Sequence, residues 1–219
     1  PNTQPDQIPE LNSFLEEWGM SVGSGVMFEL STDHLYNNTT PFWSAAEYVD
    51  EDYSSVITNK SIPVSVMQSR PIEILKESES IKVLLESTEN SGIYPVDAAE
   101  GWQPEESDLT GPITLAAVST KQVSGVDDVS NVAVVGSAAA FASSLLSSTS
   151  VNNSAYFINM FNTLAEREDT VLIEAKTLGG ATMSVTTNVS IPLGVVFTIV
   201  LPLLILVTGL VIWIRRRNR

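Results

Sequence analysis

Cysteine is absent from this chain. Its absence removes a disulfide framework, a thiol nucleophile and a thiolate metal site together. Histidine occurs once, at position 34. A Ser-His-Asp hydrolase would have to use His34 with Asp33 beside it and a distant serine, and no Gly-x-Ser-x-Gly turn supplies that serine. One histidine without cysteine also argues against zinc and copper sites. Neither Gly-x-Gly-x-x-Gly nor a Walker A sequence is present, so no dinucleotide fingerprint and no ATP cradle can be read here. Bases are scarce too: 11 Lys and Arg stand against 26 Asp and Glu.

The scarcity of bases is uneven. The last residues, Arg215, Arg216, Arg217 and Arg219, hold four of them, so residues 1–190 carry 7 − 26 = −19 formal charges. Such a domain repels nucleic acid and anionic lipid alike, and its acids read as a solvated surface. The group Glu100, Glu105, Glu106 and Asp108 offers oxygens to a hard cation, but its spacing matches no EF-hand loop. No metal and no cofactor are expected.

Residues 1–190 also lack a long apolar run, which makes the end of the chain stand out. Ile191 to Ile214 is 24 residues without a charge. As a helix it reaches about 36 Å, enough to cross a bilayer core of about 30 Å with tilt. Pro192, Gly194, Pro202 and Gly209 are tolerated in a membrane helix, and Trp213 sits where an interfacial aromatic belongs. The arginines then mark the cytoplasmic end. A cell-wall sorting signal would need Leu-Pro-x-Thr-Gly; the nearest text, Ile191-Pro192-Leu193-Gly194, lacks it. The expectation is an extracytoplasmic domain over 1–190, a lipid-embedded span over 191–214 and a cytoplasmic basic tail over 215–219. Gly194 and Gly209 would let a partner helix approach, and Thr198 and Thr208 could add interhelical hydrogen bonds. An exported domain without disulfides suits a bacterial cell membrane. Pro1 is not a natural start, so an N-terminal targeting or transmembrane segment is expected before it.

Along the domain, "IPELNSFLEEWGM" places Ile8, Leu11, Phe14, Leu15 and Trp18 at helical spacing, closed by Gly19. "GVMFEL", "SIPVSVMQS", "PIEIL" and "IKVLLES" read as strands. Residues 31–60 read mostly as loop, and 87–112 as a long acidic loop. "ITLAAVS" is a continuous apolar strand of the kind buried on both faces. Val132–Val135 reads as a buried strand running through Gly136 into a small-residue helix, a weak anion-site signal better explained by packing. "NNSAYFINMFNTLAERED" is a helix capped by Asn152 or Asn153, with Phe157, Met160, Phe161 and Leu164 inward. "TVLIEAK" and "ATMSVTT" read as two last strands. Helices alternating with buried strands at both ends predict an α/β domain with a largely parallel sheet flanked by helices, incomplete at its N-terminus.

The ordered set "ELNSFLEEWGM", "GPITLAAVS", "NVAVVGSAAAF", "NNSAYFINMFNTLAERED" and "VLPLLILVTGLVIWIRRR" resembles the GldG-type family, auxiliary components of ABC-2-type transporters. The resemblance implies an amidotransferase-like, Rossmann-like domain and a C-terminal span packed against an ABC-2-type permease. A separate ATPase subunit would hydrolyse ATP. Gly136 and Phe141 match the family's strand–Gly corner, while alanines stand where an acid is expected. No catalytic residue carries over. The function expected is a non-enzymatic accessory subunit; a stand-alone membrane-anchored binding or adhesion module is the alternative.

Overall fold

The computed structural model describes residues 8–36, 40–122, 125, 128–166 and 195–217. The chain falls into two units, Pro1–Lys176 and Thr177–Arg219. The two expected last strands, together with Ile191, Pro192, Gly194 and Arg219, lie outside the described residues.

The first unit begins with the expected helix, α1 (Pro9–Glu17), which buries Leu15. Its end is set by Gly19, whose φ of +75° is the left-handed conformation that closes a helix at little cost only for glycine. Among the described residues nine strands come next: β1 (Met20–Val22), β2 (Val26–Glu29), β3 (Trp43–Tyr48), β4 (Val64–Met67), β5 (Ile72–Ile74), β6 (Ile81–Glu86), β7 (Ser91–Tyr94), β8 (Thr114–Gln122) and β9 (Val129–Val135). The helices among and after them are α2 (Glu51–Ser54), α3 (Ser143–Leu146) and α4 (Asn153–Leu164).

Every pairing among the described strands is antiparallel, which overturns the parallel-sheet expectation. Five strands form one sheet in the order β4-β3-β6-β8-β9, while β1 pairs with β5 and β2 with β7. Register shifts between Val83 and Glu86 on β6 bend the ladder, and the sheets curl into a half-barrel. The physical reason for the difference is visible at β8. Leu115, Ala116, Ala117 and Val118 are all buried, as an apolar run predicts. Leu115, Ala116 and Val118 join a core with Tyr156, Phe157 and Met160 of α4, and Ala117 joins a second with Leu15, Met20, Val22 and Ile72. Two-sided burial marks a covered sheet, and here an antiparallel sheet is covered on both sides.

Smaller corrections share a cause. Residues 31–60 contain β3 and α2, and the acidic loop contains β7. Both segments are dense in turn formers and acids, and tertiary pairing outweighs their weak local preference. Val132–Val135 is half-buried, because β9 pairs only with β8 among the described strands. On α4, Phe157 and Met160 are buried as expected, but Phe161 is 56% exposed and Leu164 only half-buried. Asn153, Tyr156 and Asn159 take the buried face instead.

Those asparagines are hydrogen-bonding pins. Asn153 accepts from Ser65 N–H at 2.8 Å and donates to the Ser65 and Ala140 carbonyls at 2.8 and 2.9 Å. Asn152 donates to Asn59 and Ile62 carbonyls, and Asn159 to Tyr53. Glu29, fully buried, accepts from Ser31 N–H and from both Thr88 N–H and its hydroxyl, which ties β2 to the turn before β7. By contrast, the buried hydroxyls of Ser44 and Ser65 have no partner among the described residues. An orphan buried hydroxyl costs about 1–3 kcal/mol. Ser65→Ala is therefore expected to stabilise the full chain by about 1 kcal/mol in urea unfolding; a loss of stability would mean that the hydroxyl is satisfied.

The second unit contains helix α5 (Leu201–Arg217), continuous with a π-helical turn over Val196–Val200. Pro202 has no N–H for the Thr198 carbonyl and its ring crowds that oxygen, so the ladder widens at that point.

Candidate functional site

A cavity of about 660 Å³ opens where the strand–Gly corner meets the turn after β4. Its size is that of a small-molecule site. Phe42, Met67, Tyr94 and Val96 give it apolar walls, and Gly136 to Ala139 form another side. Phe42 meets Tyr94 edge-on at 5.6 Å, and Trp102 braces Tyr94 from a further edge at 5.0 Å. These T-shaped contacts hold the aromatic wall in one orientation.

Gly136 explains why the corner can form. A Cβ there would lie 2.0 Å from the Arg70 carbonyl oxygen. The close approach lets Arg70 N–H donate to the Gly136 carbonyl at 3.0 Å, while Gly136 N–H donates to Leu115. Ser137 donates its hydroxyl to the Met67 carbonyl at 2.5 Å, fastening the corner to the end of β4. Gly136 is thus a close-packing position, and the packed corner also lines the cavity. Beyond the corner the chain forms a 3-10 turn (Ala138–Phe141) and then α3, rather than one small-residue helix.

Two polar side chains stand at the wall. Gln68 has a φ of +50°, a left-handed backbone that a non-glycine residue adopts at a cost, and its N–H donates to the Phe42 carbonyl. Arg70 is half-buried and donates from Nε and Nη2 to the Gly23 carbonyl at 3.0 and 2.6 Å. It makes no ion pair among the described residues. Burial without a counter-charge pulls its pKa below the ordinary value. Neither residue stands out in the sequence, where Arg70-Pro71 reads as a separator between strands. The available signal is an isolated arginine in an acid-rich domain.

The candidate residues of the sequence lie elsewhere. His34 Nε2 sits 3.2 Å from Glu47 Oε1, and its Nδ1 is 3.3 Å from Ser31 Oγ; Asp33 is not its partner. The chain Ser31–His34–Glu47 has the composition of a nucleophile relay. Its geometry is that of a clasp holding the 3-10 turn Thr32–His34 beside β3, where Leu35 bridges Ser44. His34 and Glu47 line a shallow second cavity, but Ser31 is not on its wall. Glu105 and Asp108 are spent on a reciprocal cap of the turn Glu106–Asp108, and no group of three metal-ligating side chains occurs among the described residues.

In the second unit, Val196–Arg217 is a helix of 22 residues whose most apolar 18-residue stretch has mean hydropathy 2.7, long and apolar enough to cross a membrane. None of its described residues is buried. Pro202, Gly209, Trp213 and Ile214 lie on it, and Arg217 stacks its guanidinium 5.4 Å from the Trp213 ring. An aromatic beside a cation is the arrangement of a bilayer interface. Thr208 donates to the Leu204 and Ile205 carbonyls of its own helix, so its hydroxyl is already satisfied without a neighbouring helix.

No protein-family model and no curated protein matches this chain. Among solved structures it is similar to one described as "mmIFT52 N-terminal domain", at 16% identity and a TM-score of 0.49. The match covers 74% of this chain and 60% of that one. A likeness of that size carries no argument about function.

Proposed function

We propose that this chain is a membrane-anchored, non-enzymatic accessory subunit of an ABC-2-type transport complex, with residues 1–190 outside a bacterial cell membrane and Arg215–Arg219 in the cytoplasm. The observation that carries the anchor is the Val196–Arg217 helix, apolar along its length, exposed throughout and closed by arginines. A helix of that composition has no stable home in water. The arginine end supports the orientation through the positive-inside rule. The transport assignment rests on the ordered segments that resemble the GldG-type family and on the final span, and not on the fold. In this reading a permease holds the span and a separate ATPase hydrolyses ATP. The acidic domain binds a partner or substrate on the far side.

The cysteine-free sequence makes the topology directly measurable. Thr149, exposed between α3 and α4, and Asn218 in the tail are replaced singly by cysteine and probed on intact cells with an impermeant thiol reagent. Labelling of T149C alone is expected, and labelling of N218C alone reverses the assignment. Purification of the protein in mild detergent then tests the complex. Recovery of a permease and an ATPase supports the accessory role. Recovery of the chain alone favours the second reading, a stand-alone binding module, for which the cavity beside Arg70 is the supporting feature.

A further inference from the structure

We propose that the cavity between the Gly136 corner and the Phe42–Tyr94 wall is a binding site for a small monocarboxylate with an apolar or aromatic body, its carboxylate received by Arg70. The site is independent of the transporter assignment.

Residues 1–190 hold 26 acids and seven bases, yet among the described residues no Asp or Glu lines this cavity and Arg70 does. Acids here are the common residue and a base the rare one, so the selection runs against the composition of the domain. The guanidinium is held in place but keeps donors to spare. It carries five N–H groups. Two atoms, Nε and Nη2, are held by one neutral carbonyl, that of Gly23. That contact fixes the plane of the group, and no carboxylate pairs with it among the described residues. A planar guanidinium with spare N–H groups fits a planar carboxylate better than any other anion of unit charge.

Wall chemistry sets the rest of the ligand. Phe42, Tyr94, Met67, Val26 and Val96 offer apolar and aromatic contact, and the small residues Gly136, Ser137, Ala138 and Ala139 leave room for a flat body. Gln68 supplies a neutral amide at the rim from a strained backbone position, as is common where geometry serves binding. Valence is set by the field. One arginine compensates one charge, and the surrounding −19 opposes each further negative charge on an incoming molecule. A monoanion is therefore favoured over a phosphate dianion.

The test is titration calorimetry of the full chain in detergent micelles, with empty micelles subtracted. The probes are hydrocinnamate, its neutral alcohol and phenyl phosphate. Hydrocinnamate is expected to bind at one site, roughly tenfold tighter than either other probe, given the added strength of a charge-assisted pair. Arg70→Gln is expected to abolish that preference for the carboxylate over the alcohol. Ala139→Leu narrows the cavity at a residue that makes no bond to the guanidinium, and is expected to abolish binding of all three probes while the melting temperature is retained. It keeps the proposal falsifiable where Arg70→Gln fails to fold. Equal affinity for acid and alcohol, tighter binding of phenyl phosphate, absence of saturable binding, or wild-type binding by folded Ala139→Leu would each overturn the proposal.

Discussion

Asn153→Asp, a change of one atom group, is expected to unfold the domain or to lower its stability by more than about 3 kcal/mol at neutral pH. Asn153 is fully buried at the first turn of α4. Its amide nitrogen serves the Ser65 and Ala140 carbonyls together, and its oxygen receives Ser65 N–H. Aspartate keeps the shape and the acceptor but replaces the double donor with an oxygen facing two carbonyl oxygens. The ionised form meets repulsion in a dry site; the protonated form can satisfy only one carbonyl. Burial raises the folded-state pKa of such a carboxyl. The folded variant then holds its proton more tightly than the unfolded one, and its stability falls as pH rises from about 4, the ordinary aspartate value, toward the folded pKa. Urea unfolding of the full chain at two pH values checks both the size and the sign. Stability within a few tenths of a kcal/mol of wild type at neutral pH would show that this junction of α4, β4 and the 3-10 turn does not carry the domain.

Gly136→Ala is expected to cost about 3 kcal/mol, the upper range for overpacking, and to disturb the cavity. The added methyl would meet the Arg70 carbonyl oxygen at 2.0 Å and the Ser69 hydroxyl at 2.7 Å. A side chain can rotate away from such a contact; a carbonyl in a hydrogen-bonded segment cannot. Both neighbours of the corner are pinned, since Gly136 donates to Leu115 and accepts from Arg70. Relief requires breaking one of those bonds. The contrast is Gly209→Ala, where the methyl meets nothing within 4 Å, and no change in domain stability is expected. Circular dichroism melts of the two variants in the same detergent measure the difference. Equal melts would mean that the corner can open without loss.

The elements are legible where local pattern and tertiary demand agree. The helix over Ile8–Trp18 carries its apolar stripe and its terminal glycine in adjacent text, and α1 forms there. β8 announces its burial through an unbroken apolar run. The pairing of these elements is not legible. An apolar strand reports that both faces are covered, but says nothing of the direction of its neighbours, because parallel and antiparallel ladders present side chains with the same period of two. β3 is hidden in the sequence because Ser44, Ala45 and Ala46 are small, and their burial owes more to β4 and β6 than to their own hydrophobicity. The site is still less visible. Gly136 can be read as a corner, but Phe42, Gln68, Arg70 and Tyr94 are distant from it in sequence and meet it only through the fold.

The sequence by itself determined the properties that need no partner. A stretch of apolar residues followed by arginines specifies a helix able to span a bilayer, since length and charge depend on composition alone. The lack of cysteine likewise leaves this chain without a disulfide or a thiol nucleophile. Tertiary structure alone decided which way the strands run, which face of α4 is buried, and which side chains share a cavity. Those outcomes depend on long-range pairing, and Arg70 stands between Gly23 and Gly136 without an ion pair among the described residues only because the fold brings those segments together.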